Sequence, residues 1–161
     1  MPTHQDIRIR TIPIHHSGRL SNLFNHALET DFAYFSPVYR AEVRQNNRPS
    51  RLQLATLHPK RLVLGLYNRA ELIGYSLSGI QKNNTAFLFW MYVGSDYRGQ
   101  GLGKKLLLFT EERLQKKQVD GLSLITHNQQ HFYERQGFEF DKILPEYIAG
   151  VDMYSMHKRL V

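Results

Sequence analysis

One stretch constrains this chain more than any other: Val93-Gly94-Ser95-Asp96-Tyr97-Arg98-Gly99-Gln100-Gly101-Leu102-Gly103-Lys104-Lys105. An apolar run over 87–93 leads into it and an amphipathic run over 102–114 leads out, so it reads as strand, glycine-rich turn, helix. Gly99, Gly101 and Gly103 allow the backbone to turn tightly and to approach a ligand closely. A helix that begins at such a turn points unpaired N–H groups outward and forms an anion site. Arg98, Lys104 and Lys105 add positive charge around it. The stretch reads as a cradle for a diphosphate, beside the plainer reading of a glycine-rich turn that only joins strand to helix.

Two familiar nucleotide cradles are excluded by spacing. A P-loop needs a glycine five residues before Gly103, where Arg98 stands, and a Ser or Thr after Lys104, where Lys105 stands. The dinucleotide fingerprint needs its third glycine where Leu106 lies. The net charge of +7 favours an acidic ligand, but no run of five or six basic residues supports nucleic acid. Nucleic-acid binding is therefore not expected on sequence grounds, and it would show itself by an affinity that falls steeply with salt. The absence of cysteine rules out disulfides, a cysteine zinc site and a thiol nucleophile. The N-terminal residues lack a signal peptide's apolar core, and no apolar run reaches the ~20 residues of a membrane span. A soluble cytoplasmic protein without membrane contact is the expectation.

Period-two alternation over 7–12 predicts an opening strand, ended by Pro13. Leu20, Leu23, Phe24, Ala27 and Leu28 then recur at helical spacing from Ser17. A second helix is expected after Ser36-Pro37 with Val38, Ala41 and Val43 buried, and a short third piece over 50–57. Strands at 61–67 and 72–80 would form a hairpin around Asn68-Arg69. The seven apolar residues at 87–93 suggest a central strand buried on both faces. A helix over 102–118 would cross over to a strand at 122–125. A short helix over 127–136, stopped by Gly137, and strands at 138–143 and 151–160 complete a mixed α/β (α+β) single domain spanning 1–161.

Two segments carry a family resemblance. Val93-x-x-Asp96-Tyr97-Arg98-Gly99-Gln100-Gly101-Leu102-Gly103-Lys104-x-Leu106-Leu107 resembles the pyrophosphate-binding motif of the GNAT superfamily of acetyl-CoA-dependent N-acetyltransferases. Downstream, Phe132-Tyr133-Glu134-Arg135-Gln136-Gly137-Phe138 resembles its second motif, in the right order and context. The resemblance is clear over 71–138, weaker to 160, and only topological before 62. It implies a central mixed, mostly antiparallel sheet of about seven strands flanked by helices. It implies acetyl-CoA as cosubstrate in a splay between the strand ending at Val93 and the strand at 122–125, and a primary amine, on a small molecule or a protein, as acceptor. Met91, Tyr92 and Val93 would pair with pantetheine, and the amides of Arg98, Gly99, Gln100, Gly101, Leu102, Gly103 and Lys104 would hold the diphosphate. Tyr133 would protonate the departing thiolate.

The departures from the family pattern also matter. Neither 87–93 nor 122–125 contains an acid, so the base that deprotonates the amine stays open. The candidates are a water held by Tyr92 or Thr126, His127, or Glu29, Asp31 or Glu42 from the N-terminal helices. The missing acid motivates an alternative of another class, a noncatalytic acyl-CoA-binding or regulatory module. Thr126 stands where relatives carry a cofactor-contacting asparagine, which Asn128 replaces only if the helix start is shifted. His127 and His131 have metal-compatible spacing, but the zinc-protease signature fails at Asn128, and no metal is expected. Phe32, Tyr34, Phe35 and Tyr39 either line an acceptor pocket or pack in the core. Tyr147, beside Pro145 and Glu146, is the substrate-contact candidate; a homodimer stays open.

Overall fold

The computed structural model describes residues 6–161. Residues 1–5, part of the stretch read above for a signal peptide, lie outside the described residues. Hydrogen-bonded pairing begins with strands β1 (Ile7–Thr11), β2 (Arg61–Asn68), β3 (Glu71–Ile80) and β4 (Thr85–Val93), which form an antiparallel meander. Between β1 and β2 the chain makes helices α1 (Ser17–Glu29), α2 (Pro37–Asn46) and α3 (Pro49–Leu57). Helix α4 (Leu102–Gln115) then carries the chain to β5 (Gly121–Thr126), which runs parallel to β4. After the short α5 (Gln130–Glu134) come β6 (Glu139–Ile148) and β7 (Val151–Arg159). The sheet order is β1-β2-β3-β4-β5-β7-β6, so β7 inserts between β5 and β6. Seven strands with one parallel pair make the mixed, mostly antiparallel sheet that the sequence led us to expect.

The sheet separates two apolar layers. On one face Leu106, Leu107 and Leu114 of α4 pack on Leu62, Leu64, Leu88, Leu122 and Leu124. On the other, Leu20, Phe24 and Leu28 of α1 pack on Val63, Tyr75 and Leu77. Both follow from the apolar stripe of an amphipathic helix meeting one face of a pleated sheet. Between sheet and helix the buried hydroxyls Ser76 Oγ on β3 and Thr110 Oγ1 on α4 satisfy each other at 2.8 Å.

Several local expectations need correction. Helix α2 buries Val43, whereas Val38 is 81% exposed and Ala41 is exposed, because only one narrow side of this helix meets α1. The β2–β3 turn is centred on Arg69-Ala70, one residue later than expected, with Asn68 pairing Glu71. Helix α4 ends at Gln115 rather than 118, and Gln118 turns with φ of 62°. Strand β4 is central but not buried on both faces: Ala86, Leu88 and Tyr92 are buried, while Phe89 is 41% exposed. The reason lies in the neighbour strand, since β5 pairs only with residues 85–88 and leaves the rest of β4 facing open space. Pro145, Glu146 and Tyr147 fall within β6, where a register shift between Leu144 and Ile148 accommodates them. No helix among the described residues is long and apolar enough to cross a membrane.

Candidate active site

A cleft of about 960 Å³ opens where β4 and β5 part. Pairing of these parallel strands ends at Leu88 with Leu124. At the same point the register between β3 and β4 slips: Leu77 pairs Trp90 and Ser78 pairs Leu88, leaving Phe89 as an extra residue. Such a bulge bends and over-twists its strand. The bend swings residues 90–93 away from β5, so beyond Leu88 the strand has no partner on that side. The cleft therefore lies at the C-terminal ends of the parallel strands, where open α/β sheets place their ligands.

The glycine turn forms one end of the cleft. A short 3₁₀ turn over Ser95–Tyr97 uses the Arg98 amide, which donates to Ser95 O at 3.3 Å. Beyond it, the amides from Gly99 through Lys104 have no backbone acceptor among the described residues, and Lys105 N–H is the first to bond back, to Gly101 O at 3.0 Å. Gly101 caps α4 without a side-chain cap. Gly99 and Gly101 have φ of +72° and +74°, a region costly for residues bearing a Cβ. A Cβ added at either would project into open space, which leaves the cradle clear for an anion. The donor set thus fits a diphosphate: free N–H groups at the positive end of a helix with Lys104 beside them. At Gly103 a Cβ would make only an ordinary van der Waals contact, 3.5 Å from the Phe132 ring on α5.

Tyr133 stands on the α5 wall of the cleft, 8% exposed. Its ring meets Phe132 and Phe138 edge-on at 5.0 and 5.5 Å. Burial, and secondarily the neighbouring Tyr34 hydroxyl, push its phenol well above the usual tyrosine range, so it stays protonated. The helix carrying it is short and pinned at both ends. Thr126 Oγ1 accepts from Gln129 N–H at 3.1 Å before it, and Gly137 and Phe138 N–H donate to Glu134 O and Tyr133 O after it. Lys158 Nζ reinforces the exit, donating to Gln136 O at 2.8 Å and to Glu111 Oε1 and Oε2 at 3.0 and 2.9 Å.

The cleft gathers most of the residues singled out from sequence. Met91, Tyr92 and Val93 line it from β4, with Tyr92 stacked on Tyr75 at 5.7 Å. Arg98, Gly99, Gly101, Leu102, Gly103 and Lys104 line it from the turn, and Thr126, Asn128 and Tyr133 from the opposite wall. Gln100 is not on the lining; its side chain donates to Asp96 O at 3.4 Å. Tyr147 is 61% exposed and also lies off the lining, whereas Ile148 and Met153 of the β6–β7 hairpin reach it. The helix expected from His127 starts at Gln130, so His127 and His131 do not share it. His127 Nδ1 instead lies 2.9 Å from Asp152 O, and the ring packs on Tyr34. No cluster of metal-ligating side chains occurs among the described residues.

The Arg98 side chain turns away from the cradle. Its Nε donates to Val93 O at 2.9 Å, its guanidinium lies 5.4 Å from the Tyr92 ring centroid, and it pairs with Asp31. Asp31 is the only carboxylate lining the cleft among the described residues. Of the other base candidates, Glu29 is engaged by Arg40 and Arg44, and Glu42 lies exposed on α2. Phe32, Tyr34, Phe35 and Tyr39 all line the cleft. Trp90, read as core in the apolar run, joins them; an apolar run carries no local signal of which residue meets a cleft.

A family model described as the acetyltransferase (GNAT) family matches residues 21–138. With the fold and cleft above, this chain belongs to the GNAT acetyltransferase family. The PaiA N-acetyltransferase of Thermoplasma acidophilum, solved in complex with coenzyme A, superposes with a TM-score of 0.82 at 25% identity, covering 96% of this chain and 99% of that one. A GNAT-family acetyltransferase of Staphylococcus aureus Mu50 gives 0.78 at 20% identity over 96% and 99%. The ribosomal-protein-S18-alanine N-acetyltransferase of Escherichia coli gives 0.69 at 19% identity over 96% and 94%. No curated protein matches the sequence.

Proposed function

We propose that this chain, as one domain over 1–161, is an N-acetyltransferase that moves the acetyl group of acetyl-CoA to a primary amine by direct attack. The observation that carries this is the gap between β4 and β5, with free turn amides at one end and Tyr133 on the wall. The PaiA relative holds coenzyme A, and acetyl-CoA is the cosubstrate here.

The amides from Gly99 through Lys104 hold the diphosphate, and the unpaired edge of β4 holds the pantetheine arm and orients the acetyl carbonyl. Fixed backbone donors at that carbonyl lower the barrier because they need no reorganisation as charge develops. The amine nitrogen bonds to the carbonyl carbon and the C–S bond breaks. Tyr133 donates its phenol proton to the leaving sulfur, and the proton shed by the nitrogen returns to the phenol, so the chain ends unchanged. No covalent enzyme intermediate is required, in keeping with a chain that lacks cysteine.

The test is release of free CoA thiol from acetyl-CoA with a panel of primary amines and peptide N-termini, with mass spectrometry of the products. Amine-dependent release with an acetylated product is expected. Acetyl-CoA binding with no release on any acceptor would instead establish a noncatalytic acyl-CoA-binding module.

A further inference from the structure

We propose that the acceptor is a small primary monoamine carried on an aromatic ring, an arylalkylamine. This rests on the acetyl-transfer reading of the cleft and names what its second half receives. That half is walled by a continuous series of rings. Trp90 meets Phe32 edge-on at 5.1 Å, Phe32 meets Tyr34 at 6.2 Å, Tyr34 meets Phe35 at 4.5 Å, and Phe35 meets Tyr39 at 4.9 Å. All five rings line the cleft. Rings arranged this way present both edges and faces, and a flat aromatic guest completes the pattern with offset or T-shaped contacts.

Charge argues the same way. Asp31, the single carboxylate on the lining among the described residues, is already paired with Arg98, whose guanidinium also lies over Tyr92. An acceptor with several ammonium groups would find no free anion to meet the second or third of them. The chain as a whole carries a formal charge of +7, which further raises the cost of bringing a polycation to its surface. A monoamine presents one nitrogen to the thioester and leaves an apolar body to the rings.

Trp90 is the only tryptophan in the chain, so its fluorescence reports this pocket directly. Wild-type protein saturated with CoA is titrated with phenethylamine, butylamine and spermidine. The expected result is a phenethylamine dissociation constant about tenfold below the other two, the size of discrimination that aromatic contacts supply in an apolar site. Spermidine binding as tightly as phenethylamine, equal binding of all three, or no binding of any would overturn the inference. Because the readout is binding, this order with no acetylated product would stand for the pocket and count against the acetyl-transfer reading alone. Phe32→Leu, or Tyr34→Leu should the first fail to fold, is expected to narrow the preference for phenethylamine over butylamine about fivefold. An unchanged ratio in a folded variant would argue against the rings.

Discussion

Arg98 on the glycine turn reaches across the mouth of the cleft to Asp31, the residue two places beyond the end of α1, and the two side chains form an ion pair. The pair ties the glycine turn ahead of α4 to the loop that carries the aromatic wall. Its side chains are 44% and 33% exposed, so solvent screens it and its contribution to stability is below about 1 kcal/mol. Its consequence is positional.

Asp31→Asn should therefore leave the thermal midpoint almost unchanged while loosening the acceptor loop. We expect the amine KM to rise about five- to tenfold and the acetyl-CoA dissociation constant to change less than about twofold, since loss of rigid positioning acts on the group being positioned. Steady-state kinetics with each substrate varied, beside calorimetric titration of acetyl-CoA, separates the two. Equal losses in both affinities would mean that the pair supports the cradle instead.

Removing the Tyr133 hydroxyl should act on the chemical step alone. Tyr133→Phe keeps the ring that packs against Phe132 and Phe138, so the fold and acetyl-CoA binding persist. Turnover should fall about 10²-fold, the lower end of what a positioned proton donor supplies. Stopped-assay kcat values at saturating substrates provide the check, and an unaltered kcat would remove Tyr133 from the mechanism.

The cradle makes a separate prediction. Gly101→Val places a branched side chain at φ of +74°, costing about 1–2 kcal/mol of stability. It also puts bulk into the space where the diphosphate approaches the α4 amides. Acetyl-CoA affinity should drop at least about tenfold while the free-amine pocket still binds its ligand, a split that titration of each ligand would reveal.

Lys158 joins β7, α4 and the exit of α5, with its partner Glu111 only 9% exposed. Lys158→Met would strand a buried carboxylate and release the Gln136 carbonyl, a loss of about 3–5 kcal/mol. Denaturant unfolding should show a lowered midpoint. The double variant Lys158→Met with Glu111→Leu should regain much of it, because the uncompensated charge is gone.

The tyrosines set the alkaline behaviour. Burial first, then Tyr39 and Asp31, push the Tyr34 phenol from 10.0 up to about 12, and burial raises Tyr133 and Tyr75 as well. A phenol raised in the folded state holds its proton longer there than in the unfolded chain. Its stabilising effect is therefore complete below pH 10 and is lost as pH rises from 10 toward the folded value. Spectrophotometric titration of phenolate should show these rings ionising together with loss of secondary structure above pH 10. Activity should rise as the amine sheds its proton, with no falling limb from Tyr133 below pH 10. A descending limb between pH 8 and 9 that disappears in Tyr133→Phe would contradict the assignment.

Much of this molecule is written locally. The alternation in β1, the helical spacing in α1 and α4, and the glycines of the turn each act within a few residues of themselves. Their elements could therefore be placed, and the glycine turn with them, by reading along the chain. Tyr133 was found the same way, by its segment's likeness to a family motif. Strand β4 was misjudged because an apolar run looks the same whether its second face meets a helix or an open cleft. Burial at Phe89 and Trp90 depends on where β5 stops pairing, and nothing in residues 87–93 encodes that.

By itself, then, the sequence determined the order of elements and the glycine turn between β4 and α4, because turn chemistry and side-chain periodicity are short-range, while Tyr133 was singled out only by its segment's resemblance to a family motif. Only the tertiary structure decided the rest. It slipped β7 between β5 and β6, exposed Trp90 to the cleft, and set Arg98 against Asp31 across 67 positions of chain. Those outcomes follow from strand pairing, a bulge at Phe89 and packing between distant segments, whose partners are chosen only when the whole sheet closes.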